Sequence, residues 1–246
     1  MHILALLLAL TAFTIAKDEA PAQAAMRTLR SLNDLVFERK SKVIEVVLNK
    51  NREITDNHLA WLIDLPALTD VSLENTAIGD AGMAHLEGLK QPEWLNLYQT
   101  NVSDIGLTHL TQLPKVKLLP IGETKVPDVG LPALLGLKSL RYLGLRGNAI
   151  TDAGLKTLGK MTFLTELHLG ATQITDLGIT ELARVQNLTK LWLFDNRVTD
   201  ASIPALMKHR KLTELYIHGT KLTKKGIERL KFALPKCQVK DQLATH

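Results

Sequence analysis

The chain has 246 residues, which is enough for one domain with a sizeable buried core. Its 30 Lys and Arg residues stand against 25 Asp and Glu residues, so the formal net charge is +5. Cys237 is the sole cysteine, which excludes an intrachain disulfide.

The chain begins with an apolar stretch, residues 3–16, that resembles a secretory signal peptide. Its length of about fourteen residues is too short for a helix that spans a bilayer. We therefore predict a signal peptide over residues 1–16, with cleavage after Ala16 or as late as Ala24. The mature chain is predicted to be secreted or periplasmic, without a transmembrane segment. No Lys or Arg precedes the apolar stretch, so an uncleaved start is the alternative.

Residues 21–42 are predicted to form a helix that caps the N-terminal end of the domain. Five apolar residues fall on one side of this helix: Met26, Leu29, Leu32, Leu35 and Val36. A first strand is predicted over residues 43–48, one residue out of register with the strands that follow. The turn over residues 49–53 holds the extra residue.

A unit of 24 residues then repeats along the chain, and each unit opens with a short strand. Apolar residues lie at offsets 0, 3 and 5, as in Leu140, Leu143 and Leu145, and the pair two apart marks the inward face of the strand. A polar residue that can hydrogen-bond the backbone follows three residues later: Thr76, Thr100, Thr124, Asn148, Thr172, Asn196 and Thr220. Apolar residues then recur at helical spacing, as in Leu155 and Leu158.

Seven aspartates mark the start of the predicted helices at intervals of 24 residues: Asp56, Asp80, Asp104, Asp128, Asp152, Asp176 and Asp200. Most of them follow Thr or Ser, and both residue types can satisfy the free amides of a helix start. A glycine usually comes two residues later, which predicts close packing against the neighbouring unit. A ladder of metal-binding carboxylates is the disfavoured alternative, because no His or second acid accompanies the aspartates in register.

The unit that contains Pro120 is irregular. This proline lies inside a predicted strand, where it removes a backbone donor, and Pro127 and Pro132 follow. We expect a local distortion of the sheet at this unit. Residues 235–239 are predicted to form a closing half-unit, and residues 240–246 a C-terminal tail.

The consensus LxxLxLxxTxITDxGLxxLxxLxx over residues 43–239, about eight units, resembles a leucine-rich repeat. It is similar to ribonuclease-inhibitor-like arrays and to the 24-residue repeats of secreted bacterial proteins. The resemblance implies an α/β solenoid with a parallel sheet on the concave face and helices on the convex face. It also implies that the constant positions build the scaffold and that most relatives bind other proteins.

Function is therefore expected in the variable strand positions, which face the concave side. The chain has eleven Phe, Trp and Tyr residues, and six of them fall on the 21 concave positions. Exposed aromatic residues often anchor interfaces, which favours binding, and mildly stabilising stacking between adjacent strands is the alternative explanation. The predicted ligand-binding residues are Trp94, Tyr98, Tyr142, Arg146, His168, Lys190, Trp192, Phe194, Tyr216 and His218. Trp94, Tyr98 and Tyr142 are predicted to form one patch, and the later aromatic residues a second.

Charge argues against a nucleic-acid ligand on this face. The concave positions hold four acidic residues against Arg146 and Lys190, a net charge of −2, where nucleic acid needs a basic stripe. Catalysis is also not predicted, because Glu166 and His168 share a face but no pocket is implied around them. His85 and His109 lie one unit apart, but two ligands are too few for a metal site. We predict no enzyme activity, no cofactor and no metal.

Two functions remain open from the sequence. The first is a non-enzymatic module that binds a protein or peptide through the concave aromatic residues. The second is a glycan-binding or surface-associated protein, in which Trp192 and Tyr216 are platforms for sugar rings.

Overall fold

A computed structural model describes residues 23–25, 27, 35–39 and 42–242. The strands are β1 (Leu35–Arg39), β2 (Lys42–Val47), β3 (Asp70–Ser72), β4 (Trp94–Asn96), β5 (Leu118–Pro120), β6 (Tyr142–Gly144), β7 (Glu166–His168), β8 (Lys190–Trp192), β9 (Glu214–Tyr216) and β10 (Gln238–Lys240). The α-helices are α1 (Asp80–Ala84), α2 (Asp104–His109), α3 (Asp152–Leu158), α4 (Asp176–Leu182), α5 (Ile203–Leu206) and α6 (Lys224–Ala233). Short 3₁₀ helices cover Asp56–Asp64, Leu110–Gln112, Asp128–Gly136 and Asp200–Ser202.

The strands form one sheet in sequence order from β1 to β10. All neighbouring pairs are parallel except β1 and β2. From β3 onward, paired residues are 24 apart, as in Leu143 with Leu167 and Leu167 with Leu191, and these leucines are fully buried. Each unit therefore adds one strand to the sheet and one helix to the other side of a continuous apolar core. This is the α/β solenoid that the repeat predicts.

The N-terminal end departs from the predicted helical cap. Residues 23–25 and 27 are helical, but Leu35–Arg39 form strand β1, which pairs antiparallel with β2. The helix predicted over residues 21–42 is therefore wrong for its last part, because backbone pairing with β2 decides the conformation there. The register of the first repeat strand is as predicted, since Val46 pairs with Val71, 25 residues away.

The predicted signal peptide over residues 1–16 lies outside the described residues. Within the described ranges, no helix has both the length and the apolar character required to cross a membrane.

The aspartates link neighbouring units instead of capping their own helices. In the units where Ser or Thr precedes the aspartate, that residue is the N-cap, as Thr175 Oγ1 accepts from the backbone N–H of Leu177. The Asp152 carboxylate in turn accepts the backbone N–H and the hydroxyl of Thr175 in the next unit, at 2.8 and 2.6 Å. The recurrent glycines make room for this contact: a Cβ on Gly106 would lie 2.6 Å from Asp80 Oδ1. The predicted close packing is confirmed.

The predicted distortion around Pro120 is also present. Between β4 and β5 only Trp94 and Leu118 pair, because Pro120 has no N–H to donate. The helix of this unit is the 3₁₀ helix Asp128–Gly136, which contains Pro132. Its N-cap is Pro127, which has neither an N–H nor a hydroxyl, so the Asp104 carboxylate has no hydrogen-bond partner in the part of the chain that the structure describes.

The C-terminal end of the array lies one residue beyond its predicted limit of 239. Lys240 pairs with Tyr216 in β10 and therefore belongs to the sheet, not to a tail that starts at residue 240. The cause is the parallel pairing itself, which extends the 24-residue register to the last strand.

Candidate functional site: the concave face

Each repeat strand has three residues, of which the middle one is buried and the first and third face the concave side. A third concave position follows two residues later, and then the chain turns through a residue with positive φ. These turn residues are Asn75, Gln99, Glu123, Gly147, Ala171, Asp195 and Gly219. The sharp turn in every unit holds the concave side chains in straight columns across the sheet.

Six side chains form what we call the aromatic cluster: Tyr142, His168, Trp192, Phe194, Tyr216 and His218. All six are partly exposed. The structure brings them together over four adjacent strands through ring contacts between 4.6 and 6.3 Å from centroid to centroid. The predicted second patch is thus a single connected surface.

The centre of the aromatic cluster is a stack of three rings. Trp192 lies between His168 and Tyr216, with centroid distances of 5.3 and 5.1 Å and interplanar angles of 7° and 13°. Lys240 Nζ lies 4.5 Å from the centroid of the Tyr216 ring. The two faces of Trp192 are therefore covered by neighbouring rings, and the stack presents ring edges to the concave side.

The predicted division of the aromatic residues into two patches is wrong in one respect. Tyr142 contacts Trp192 edge-on at 6.3 Å and so belongs to the aromatic cluster, not with Trp94 and Tyr98. Its ring lies over Gly144, where a Cβ would approach the Tyr142 hydroxyl to 2.8 Å. Small residues in the strands thus leave space that the tyrosine fills.

Leu118 connects Trp94 to the aromatic cluster. Strand pairing places Trp94 beside Leu118 and Leu118 beside Tyr142, and the side chain of Leu118 is 43% exposed. The stretch between Trp94 and the aromatic cluster therefore carries an exposed leucine. An apolar path therefore runs from Trp94 to Tyr216.

Charged groups border the aromatic cluster at its C-terminal end. Glu214 lies 3.4 Å from Lys190 and 2.8 Å from Lys240, and it accepts a hydrogen bond from the Tyr216 hydroxyl at 2.5 Å. The hydrogen bond from Lys240 and then that from Tyr216 lower the pKa of Glu214 to about 2. Lys240 is not among the predicted ligand-binding residues, although its 24-residue spacing from Tyr216 places it beside that ring.

His168 is held in its neutral form within the stack. Burial first, and then the charge of Arg146, lowers the pKa of His168 to about 4. The backbone N–H of Gly170 donates to His168 Nδ1 at 3.3 Å, which places the ring proton on Nε2. At the other end of the cluster, His218 stacks on Phe194, and its buried Nδ1 has no hydrogen-bond partner among the described residues.

Tyr98 forms a separate polar group with Glu123, a turn residue outside the predicted ligand-binding set. The Tyr98 hydroxyl and Gln99 Nε2 both donate to the Glu123 carboxylate, and Arg146 Nε lies 3.7 Å from it. Burial is the main cause that raises the pKa of Tyr98 to about 12. Arg146 also lies 5.7 Å from the Phe194 ring centroid, so it joins this group to the aromatic cluster.

The side chains considered for catalysis or metal binding have the following surroundings. His168 and Glu166 form no hydrogen bond with each other within the described ranges, and His109 pairs with Glu87 at 2.6 Å. Burial raises the pKa of the Cys237 thiol to about 11, which opposes thiolate formation. Across residues 23–25, 27, 35–39 and 42–242, no group of three or more His, Cys, Asp and Glu side chains could hold a metal ion.

Comparison with known proteins supports the fold. A family model described as Leucine Rich repeat matches residues 136–159 and 160–183. No curated protein sequence matches the chain. Among solved structures, internalin C2 from Listeria monocytogenes is 22% identical with a TM-score of 0.65, over 92% of this chain and 94% of that one.

Two further structures share the architecture. The leucine-rich repeat ectodomain of the Arabidopsis receptor kinase HAESA, in complex with an N-terminally extended IDA peptide hormone, is 20% identical with a TM-score of 0.61. The match covers 83% of this chain and 35% of that one. A leucine-rich repeat protein from Leptospira interrogans is 21% identical with a TM-score of 0.55, over 73% and 50% of the two chains.

Proposed function

Because the chain is a leucine-rich repeat protein, we propose that it is a non-enzymatic module whose concave face binds a peptide segment of another protein. The observation that carries this proposal is the connected, partly exposed aromatic cluster over strands β6 to β9 of the concave face. Aromatic residues contribute large contact areas and frequently dominate binding energy at interfaces.

Ring geometry favours a peptide over a glycan. Sugar rings stack on an open aromatic face, but His168 and Tyr216 cover both faces of Trp192. Tyr216 is covered by Trp192 on one side and approached by Lys240 Nζ at 4.5 Å. The ring edges and Leu118 form an apolar ridge of the kind that apolar side chains of a peptide contact.

The polar groups beside the cluster suit a peptide backbone and its charges. Arg146 is exposed, and Lys190 and Glu214 are partly exposed at the edge of the ridge. They offer donors and an acceptor on both sides of an extended segment. The HAESA ectodomain, a solved structure with the same fold, binds a peptide, and that precedent supports a peptide ligand here.

Secretion is part of the same proposal. The apolar stretch at residues 3–16 supports export, and an exported module would meet its ligand outside the cytoplasm. Intact-mass measurement of the chain recovered from the exporting cell tests this point. Loss of the first 16 to 24 residues supports export, and an intact N-terminus contradicts it.

The binding proposal is tested by selecting peptides from a displayed random library with the purified protein. Affinities of the selected peptides are then measured by calorimetry for three proteins: the unchanged chain, Trp192→Ala with Tyr216→Ala, and Leu177→Ala. Leu177 is a matched apolar control, because it is 75% exposed but lies on helix α4, away from the concave face. We expect the double variant to lose at least about tenfold in affinity, the scale of one interface anchor, and the control to bind normally.

Two outcomes would overturn the proposal. Peptides that bind the double variant and the unchanged chain equally would show that the concave cluster is not the site. Oligosaccharides that bind through Trp192 and Tyr216, where no peptide does, would establish the glycan alternative. Thermal unfolding of each variant, followed by circular dichroism, separates lost binding from lost folding.

A further inference from the structure

Positive charge is concentrated at the C-terminal end of the array. Residues 207–240 contain ten Lys and Arg residues and two acidic residues, a net charge of +8. The whole chain carries +5, so all other residues together carry −3. An uneven distribution of this size indicates a surface that meets negative charge.

Helix α6 presents much of this charge on its outer side. Gly226 and Leu230 are buried against the core, whereas Lys225, Arg229 and Phe232 are exposed. Residues 225, 229 and 232 are four and three apart, so they share one face of the helix. Phe232 is 89% exposed, which is unusual for a side chain of this size and places its ring in solvent among cations.

Two shallow depressions extend this surface across the preceding helix. Met207, Lys225, Glu228, Arg229, Phe232 and Ala233 line the first. Gln186, Pro204, Met207, Lys208, Arg210 and Arg229 line the second. Met207 and Arg229 belong to both, so the depressions form one continuous surface, which we call the basic convex face.

The cations of the basic convex face are available to a ligand. Among the described residues, Lys208 and Lys225 form no ion pair, in contrast to Lys231, which pairs with Asp241 at 3.4 Å. Arg229 forms no ion pair within 4 Å there either, although its charge, after the hydrogen bonds from Thr223, helps to lower the pKa of Asp200. Arg210 donates to the Ala233 carbonyl oxygen at 2.8 Å, which fixes it beside Phe232. The face therefore combines free positive charge with a protruding apolar ring.

We propose that the basic convex face docks on an anionic lipid bilayer. Lys and Arg side chains would contact the lipid phosphates, and Phe232 would enter the boundary between headgroups and acyl chains. A polymer of phosphates would need the cations but not a projecting phenyl ring, so the exposed Phe232 favours a lipid surface. This face lies on the helical side, so the concave face stays open to its own ligand while the protein is docked.

Co-sedimentation of the full chain with vesicles tests this proposal. Vesicles of phosphatidylcholine alone are compared with vesicles that also contain phosphatidylglycerol, at low and at physiological salt. Lys225→Glu with Arg229→Glu removes two cations, and Phe232→Ser removes the ring. We expect the unchanged chain to bind only the anionic vesicles. The affinity of the charge variant for these vesicles should fall at least about 25-fold, because each cation contributes about fivefold.

Matched controls exclude a general effect of charge or apolar area. Lys156→Glu with Lys160→Glu makes the same charge change at exposed positions in and just after helix α3, and Leu177→Ser removes another exposed apolar side chain. Both controls should bind anionic vesicles normally.

Three results would overturn the proposal: no binding to anionic vesicles, equal binding to both vesicle types, or unchanged binding by Phe232→Ser. A further arm measures a single-stranded oligonucleotide, and preferential binding to it without dependence on Phe232 would identify a phosphate polymer as the ligand. Circular dichroism melts confirm that every variant is folded.

Discussion

The carboxylate of Asp152 accepts two hydrogen bonds from Thr175, a residue 23 positions later in the next unit. The same double contact joins Asp128 to Thr151 and Asp200 to Thr223. One residue type thus connects the helix starts of successive units along the convex side. Pro127 breaks this series, because it cannot donate to Asp104.

Pro127→Thr is expected to stabilise the protein by about 1 kcal/mol. The new threonine can donate twice to Asp104 and cap its own helix, while the loss of proline rigidity offsets part of the gain. The backbone at Pro127, with φ −95° and ψ 176°, is already close to that of Thr151 at −117° and −176°. Urea unfolding measures the change. Repeating it in an Asp104→Ala background provides the control, and an equal gain there would disprove the link to Asp104.

Ala171→Gly is expected to stabilise the protein slightly, by up to about 1 kcal/mol. Ala171 turns with φ at +53°, a region in which a Cβ is strained and glycine is not. Gly147 occupies the equivalent turn at φ +71°, so Gly147→Ala should have the opposite effect. Thermal unfolding of the two variants compares them directly. A stabilising Gly147→Ala would show that these turns are not strained.

His209 is expected to make folding sensitive to acid. It is fully buried, burial lowers its pKa, and its Nε2 has no partner among the described residues. The pKa of His209 is lower in the folded state than its unfolded value near 6.5. The contribution of neutral His209 to the free energy of unfolding is therefore complete above about pH 6.5 and is lost as the pH falls below that value.

His209→Met tests this pH dependence, since Met161 occupies the same position in an earlier unit. The stability difference between the two proteins should change by no more than about 1.4 kcal/mol per pH unit below pH 6.5. At neutral pH the free energies of unfolding of the variant and of the unchanged protein should differ by about 1 kcal/mol or less. The variant loses the unfavourable unpaired nitrogen and also the favourable hydrogen bond to the Val185 carbonyl. A constant difference between pH 7 and pH 4 would contradict the role of His209.

His168 is expected to stay neutral until the pH approaches 4. Nuclear magnetic resonance of its ring protons measures the titration. Because burial is the main cause, Trp192→Ala should expose the ring and raise its pKa toward 6.5. Arg146→Gln should give a smaller rise. A native titration near 6.5 would mean that the aromatic cluster is open to water and not stacked as described.

The 24-residue period predicts most of the fold because the parallel strands pair at a fixed offset. Residues 24 apart in the sequence are therefore neighbours in the sheet. The period placed Leu143, Leu167 and Leu191 in the core and Trp192 beside His168 and Tyr216. It did not predict β1, because the apolar residues before the array also fit a helix and only pairing with β2 distinguishes the two.

The 24-residue period also does not predict the direction in which individual side chains point. Tyr142 turns toward Trp192 because Gly144 leaves room for its ring, which depends on rotamers and not on spacing. Glu123 lies at a turn position that carries no apolar signal, so its hydrogen bond with Tyr98 has no counterpart in the repeat pattern. Specific contacts within the concave face therefore required the structure.

Every member of the aromatic cluster follows the interrupted junction between Asp104 and Pro127 in the chain. Units in a solenoid contact mainly their immediate neighbours, so a change before this junction has few routes to the cluster. Units before this point can be added or removed without a change in the neighbours of the aromatic cluster. Sequence changes in the earlier units are therefore expected to leave the geometry of the aromatic cluster unchanged.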